Sequence, residues 1–195
     1  MSKKMPSPRR NWNVRPAEPS DKEQVDQLLQ KSYSRLLPND YDDHLLQQAL
    51  PKITVARDEL LTCGTWYVVE DSDDNPPRIV GCGGFTLQSP TPSNGNDSNP
   101  QDTPHLRHFA TDPDYARQGI ASAIWQRTWQ DLCQHFDSQP PTMEVFSTLT
   151  AESFYASLGF RAVKEVRIPL GEGCEFPAIL MRRDVKTESV EDNDA

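Results

Sequence analysis

The stretch Thr111-Asp112-Pro113-Asp114-Tyr115-Ala116-Arg117-Gln118-Gly119-Ile120-Ala121-Ser122 constrains this chain more than any other. It leads from an apolar run holding Leu106, Phe109 and Ala110, through a tight turn, into a helix that opens on a glycine and small residues. Helices often place Asp or Glu in their first turn, because unsatisfied N–H groups and the positive end of the dipole favour negative charge. Here the first turn has none, and Arg117 and Gly119 stand beside it. A helix end that leaves its donors unclaimed is suited to an external anion such as a pyrophosphate. Strand, turn and helix in direct succession also commit this part of the chain to a helix packed on a sheet.

The 195 residues suffice for one domain with a sizeable core. No apolar run approaches the length of a membrane helix, and none of signal-peptide type lies near the start, so a cytoplasmic protein with no membrane partner is expected. Cys63, Cys82, Cys133 and Cys174 are scattered without a CxxC pair, which argues against a zinc site or a redox motif. The histidines lack metal-ligand spacing, so no metal is expected. A net charge of −9 makes a nucleic-acid partner improbable and hints weakly at a cationic acceptor. Residues 1–10 read as a disordered basic head, 11–184 as a single domain, and 185–195 as an acidic disordered tail. The head is basic enough for a transit peptide but lacks an amphipathic pattern. A monomer or a homodimer is expected.

Trp12, Val14 and Pro16 predict a short first strand. Ser20…Glu23 has capping-box spacing, and Val25, Leu28, Leu29, Ser32, Tyr33, Leu36 and Leu37 follow at helical period. Pro38-Asn39-Asp40 breaks that helix; a second is predicted to end before Pro51, and a third over residues 52–61. Residues 65–70 and 78–87 read as a hairpin, with Gly81, Gly83 and Gly84 marking a bulge or a close approach by a ligand or another chain. Residues 89–103 read as a flexible loop within the domain. A strand over 106–110, the long helix after Gly119, a strand at 143–146, a helix over 151–158 closed by Gly159, and strands at 160–170 and 176–182 complete the chain. Strands and helices mix without strict alternation, which predicts an α+β (mixed α/β) fold.

Two motifs in this order carry a resemblance. Asp112 to Ala121 resembles the acetyl-CoA pyrophosphate loop of the GNAT superfamily of N-acetyltransferases, and Phe154-Tyr155-Ala156-Ser157-Leu158-Gly159-Phe160 is similar to that family's second motif, FYxxLGF. The resemblance extends more weakly from about Trp12 to Arg183. It departs at Ala116, where the family loop has Arg or Gln, and at Thr150, where many members have Asn. The resemblance implies a central, mostly antiparallel sheet flanked by helices, with one splayed pair of parallel strands between which the cofactor arm lies. It implies acetyl-CoA as acyl donor, held by Phe109, Ala110 and Thr111 along the arm, by Arg117, Gln118, Gly119, Ile120, Ala121 and Ser122 at the pyrophosphate, and by Thr150.

Transfer of acetyl from a thioester to an amine needs a neutral nucleophile, a polarised carbonyl and a proton for the leaving thiolate. By resemblance Tyr155 is the general acid. For the base, Glu144 is placed ahead of His108 and Glu70, and no base at all is an alternative, since part of any amine is already neutral. Tyr33, Tyr41 and Phe85 are expected to line the acceptor pocket, with core packing an alternative fate for Phe85. The implied function is N-acetylation of a small-molecule amine in a ternary complex. Acetylation of protein lysines or N-termini, and a non-catalytic acyl-CoA sensor, are the alternatives.

Overall fold

The computed structural model describes residues 12–73, 76–87, 103–137, 142–171 and 173–184. The expected basic head, the acidic tail and all but Thr103 of the predicted 89–103 loop lie outside the described residues. In chain order the elements are β1 (Asn13–Pro16), α1 (Lys22–Leu36), α2 (Asp43–Ile53), α3 (Asp58–Thr62), β2 (Trp66–Asp71), β3 (Arg78–Thr86), β4 (His105–Thr111), α4 (Ile120–His135), β5 (Thr142–Ser147), α5 (Glu152–Ser157), β6 (Arg161–Pro169) and β7 (Glu175–Asp184). Among the described residues the strands form one sheet in the order β1-β2-β3-β4-β5-β7-β6. Every neighbouring pair is antiparallel except β4 and β5. The fold is therefore the mixed α+β arrangement expected, with a single parallel pair at its centre.

Both faces of the sheet are covered. Val68 of β2 and Cys82 of β3 pack with Val25, Leu28 and Leu29 of α1 and with Leu60 and Leu61 of α3. Their strand neighbours Val69 and Val80 point the other way, onto Ile120 and Ile124 of α4. For Val68 and Val69 that alternation follows from the two-residue period of a strand; Val80 and Cys82, two residues apart, face opposite ways because the β2/β3 register shifts between Val69 and Glu70. Further along α4, Leu132 meets Phe85, Leu106, Met143 and Val145. A sheet buried on both faces explains why β2 and β3 are continuously apolar rather than alternating.

Three local expectations are corrected. The Ser20…Glu23 capping box does not form: a 3₁₀ turn over Pro19–Asp21 precedes α1, and the Asp21 carboxylate accepts the Glu18 N–H at 2.8 Å. Asp21 is fixed there because Arg15 donates to both of its oxygens at 2.8 Å while also reaching Glu70 at 2.7 Å. Helix α2 runs through Pro51 to Ile53, since a proline so near the end deprives only Gln47, on an exposed turn, of a donor. Residues 54–57 are then not helical, bending at 54–55, with the Ala56 N–H held by Asp26 Oδ1 at 2.6 Å, and α3 starts only at Asp58.

The glycines of β3 answer to the protein's own packing. A Cβ on Gly81 would stand 2.3 Å from Ile120 Cγ2 of α4, and one on Gly83 would meet the Phe109 ring at 2.8 Å. At Gly84 the obstacle is backbone, with Thr65 O at 2.3 Å and Trp66 Cα at 2.6 Å. Backbone cannot swing aside as a side chain can. Gly84→Ala is therefore expected to destabilise the fold by about 3 kcal/mol, the upper end of ordinary overpacking, measured as a lowered urea midpoint with unchanged slope.

Candidate active site

The parallel pair β4/β5 is joined at only two positions, His105 with Glu144 and Leu106 with Val145. Beyond Leu106 the strands part, and the cause lies in β4 itself. Cys82 of β3 faces Ala110, whereas Gly84 faces Arg107, so β4 carries one residue more than its partner over this step. The extra residue is taken up at His108, whose φ is +46°, a left-handed backbone seldom seen outside glycine. The Arg107 carbonyl is drawn towards β2, where it accepts the Trp66 indole N–H at 3.0 Å. A cavity of about 180 Å³ opens in the gap. Its walls come from Tyr33 of α1, the end of α2, Val55 and Arg57, residues 106–109 of β4, Val145, Phe146 and Thr148 around the end of β5, Tyr155 of α5, and the β6–β7 hairpin.

The loop after β4 is pinned at both ends. Asp112 is 1% exposed, and its carboxylate accepts from Lys31 Nζ at 2.7 Å, from Arg78 Nη2 and from the Asp114 N–H at 2.9 Å. Exposed Asp114 accepts from Lys31 at 2.6 Å and Arg35 at 2.7 Å, and these bonds hold its carboxyl below the usual range. Two carboxylates thus face three cations, which removes their repulsion of an incoming anion. At the other end, the Trp12 indole donates to Gln118 O at 2.9 Å and Ile120 is buried.

Between these anchors residues 116–119 are exposed, with left-handed backbone at Arg117 (φ +64°) and Gly119 (φ +88°). Nothing lies within 4 Å of a Cβ built on Gly119, so glycine is required there for its φ and not for space. The Ala123 N–H bonds back to Gly119 O at 2.9 Å, which leaves the N–H groups of Ile120, Ala121 and Ser122 ahead of the helical ladder. No acidic residue stands in that first turn. Exposed donors, an uncovered dipole and neutralised neighbours fit a pyrophosphate, and they do so through backbone, so Ala116 costs the loop little.

The structure brings Tyr155, Tyr33 and His108 together. Tyr155 is 4% exposed among Phe109, Phe154 and Phe160, with ring centroids 5.2–6.2 Å away. Its hydroxyl makes no hydrogen bond to a described residue, and burial pushes its pKa up, so it remains a phenol at any physiological pH. The Tyr33 hydroxyl lies 3.4 Å from His108 Nδ1. Burial raises the Tyr33 pKa, with Cys82 and Tyr155 adding to it. The His108 imidazole is held neutral: burial, then Arg107 and Arg57, bring its pKa down to about 4.

Other expected site residues fall elsewhere. Glu144 sits where β4 and β5 are still paired and does not line the cavity; its Oε1 accepts from Arg182 at 2.6 Å, and His105 Nε2 is 3.8 Å from its Oε2. Glu70 is held by Arg15 and Asn13. Tyr41 donates to Pro177 O at 2.9 Å, accepts the Leu149 N–H at 2.8 Å and stacks on Phe176, which makes it a tether and not a wall. Phe85 is core, 1% exposed. Thr150 donates to Asp40 at 2.7 Å, and Thr148 lines the cavity instead. Phe109 lines it too, while Ala110 and Thr111 stand further along β4, opposite Cys82 and Gly81. Arg57, Lys52 and Arg107 also line it and were not singled out from sequence. For Arg107 a signal existed, a lone cation inside an apolar strand run.

A split parallel pair beside an uncovered helix end is the arrangement that the resemblance implies. Residues 92–176 match the family described as "Acetyltransferase (GNAT) domain". No curated protein matches the sequence significantly. A GCN5-related N-acetyltransferase structure from Rhodopseudomonas palustris is 16% identical, with 91% of this chain and 98% of that one covered at a TM-score of 0.67. The PaiA N-acetyltransferase of Thermoplasma acidophilum, solved with coenzyme A, is 10% identical over 90% and 100%, at 0.63. The ribosomal-protein-S18-alanine N-acetyltransferase of Escherichia coli is 17% identical over 93% and 98%, at 0.56. Residues 92–176 are thus similar to a GNAT acetyltransferase domain, and these solved structures share the fold of the chain. Among the described residues no helix is long and apolar enough to cross a membrane, and no cluster of three His, Cys, Asp or Glu is placed to hold a metal ion.

The buried histidines contribute to the acid sensitivity of the fold. His108 titrates at about 4 in the fold against 6.5 when unfolded, and burial lowers His105 as well. The unfolded chain therefore binds more protons between these values, and stability is expected to fall as pH drops from 6.5 towards 4. His108→Asn, which tolerates left-handed backbone, is expected to flatten that slope in urea titrations across this range.

Proposed function

We propose that the protein is an N-acetyltransferase that moves the acetyl group of acetyl-CoA to the primary amine of a small molecule, by direct attack in a ternary complex. The observation that carries this reading is the early end of the β4/β5 pairing, which leaves facing strand edges open above a cavity shared by Tyr155, Tyr33 and His108. Acetyl-CoA supplies an activated acyl thioester.

The chain's own groups divide the remaining work. N–H groups of Arg117 to Ser122 hold the pyrophosphate, and the edge of β4 from Phe109 to Thr111 aligns the arm, as an added strand pairs with a sheet edge. The Tyr155 hydroxyl, protonated and without a described partner, donates to the thiolate as the C–S bond breaks. Neutral His108 accepts a proton from the nitrogen once the C–N bond has formed, directly or through water. A base with so low a pKa does not strip an ammonium ion, so the amine enters in its neutral form. The modest size of the cavity favours a small acceptor over a folded protein surface.

Tyr155→Phe is expected to lower kcat by about 10²-fold with little change in acetyl-CoA affinity, as loss of a general acid does; an unchanged rate would remove Tyr155 from that role. Gly119→Glu, which puts bulk and like charge at the helix end, is expected to abolish acetyl-CoA binding in calorimetry while circular dichroism stays native. Retained affinity would overturn the pyrophosphate site.

A further inference from the structure

The cavity has an electrical character that the overall charge of −9 conceals. Its described lining contains Lys52, Arg57 and Arg107 and not one Asp or Glu. The three cations reach it from different segments: the last turn of α2, the stretch before α3, and β4. Arg107 is 7% exposed, yet its described polar partners are Thr86 Oγ1 at 3.1 Å and Glu59 Oε1 at 3.8 Å. Glu59 is shared, since Arg57 lies 3.6 Å from the same oxygen. Lys52 makes no ion pair with a described residue. Burial lowers the Arg107 pKa, and nearby Arg57 lowers it further.

Arg107 is a buried cation, costly unless something neutralises it, and Lys52 and Arg57 add positive charge at the exposed rim of the same cavity. The coenzyme phosphates do not explain them, because the loop from Arg117 to Ser122 shares no residue with the cavity. Apart from Tyr33, His108, Thr148 and Tyr155 the remaining walls are apolar, among them Ile53, Phe109, Ile168 and Phe176. A polyamine is the wrong ligand for such a space.

Resting on the N-acetyltransferase reading, we propose that the acceptor is a primary amine that also bears an anionic group on a short apolar arm, the anion held by Lys52, Arg57 and Arg107. The same field disfavours an ammonium ion, so an acceptor anchored by its anion presents a neutral nitrogen more readily. This replaces the cationic acceptor suggested by net charge.

The test is steady-state acetylation of matched amines: phenylalanine against phenethylamine, leucine against isoamylamine, and phosphoethanolamine against ethanolamine. The anionic member of at least one pair is expected to lead in kcat/KM by about tenfold or more, the worth of one charge-assisted hydrogen bond; the pair that responds distinguishes carboxylate from phosphate. Lys52→Gln and Arg57→Gln, both at exposed positions, are expected to narrow that lead through KM. Turnover with the neutral members equal or ahead in every pair overturns the inference alone, as does a lead that both variants leave intact. Acetyl-CoA binding without acetylation of any amine overturns the N-acetyltransferase reading and this inference with it.

Discussion

A buried strand edge must find partners for its N–H and C=O groups, and in this protein β4 and β5 stop supplying them to each other after two residue pairs. Everything distinctive about the molecule follows from that shortfall. The remaining edges lie inside the sheet, where leaving them bare costs far more than it does at an outer strand. A ligand that carries amides of its own can complete the ladder. Under the proposed function, the hydrogen-bonding demand of these edges is met by the substrate's arm.

Holding that gap open needs rigidity on both sides. The extra residue at His108 bends β4 away, and Gly83 admits the Phe109 ring where any Cβ would collide. On the far side Tyr41 ties the end of β5 to β7 by two hydrogen bonds, and β7 in turn pairs with β5 along its length. The loop beyond β4 is locked by Asp112, a buried carboxylate whose removal from two cations would cost about 3–5 kcal/mol. Cavity and glycine turn are therefore both held by the protein's own contacts, which lowers the ordering cost of binding.

The sheet, the long helix and the glycine turn were legible in the sequence because each rests on local period or local backbone chemistry. Gly119 needs a positive φ, and α4 shows its apolar stripes, whatever surrounds them. The misreadings share a different cause. Glu144 and Thr150 look available in sequence, and what makes them unavailable is Arg182, 38 residues away, and Asp40, 110 residues away. Tyr41 looked like a wall of the pocket because nothing local announces Pro177 and Leu149 as its partners. Long-range pairing decides which polar groups remain free, and that is the property a catalytic group must have. The bulge was half visible, since the glycines marked irregularity in β3 while the extra residue lies in β4.

The contrast between an acidic protein and a cationic cavity is settled by distance. At physiological ionic strength charges are screened within about 8 Å, so carboxylates on the outer surface scarcely reach the gap between β4 and β5. Inside that gap screening is weaker around buried Arg107, whose one carboxylate partner is shared with Arg57, while Lys52 and Arg57 stand at its exposed rim. Under the proposed function and the inferred acceptor, two anionic loads are held by different means. A pyrophosphate, with many oxygens, suits a fan of backbone N–H groups at a helix end; a single small anion beside the reacting nitrogen suits side chains. Separating the two keeps the phosphate-binding charge out of the reaction space, where only the field felt by the amine should matter.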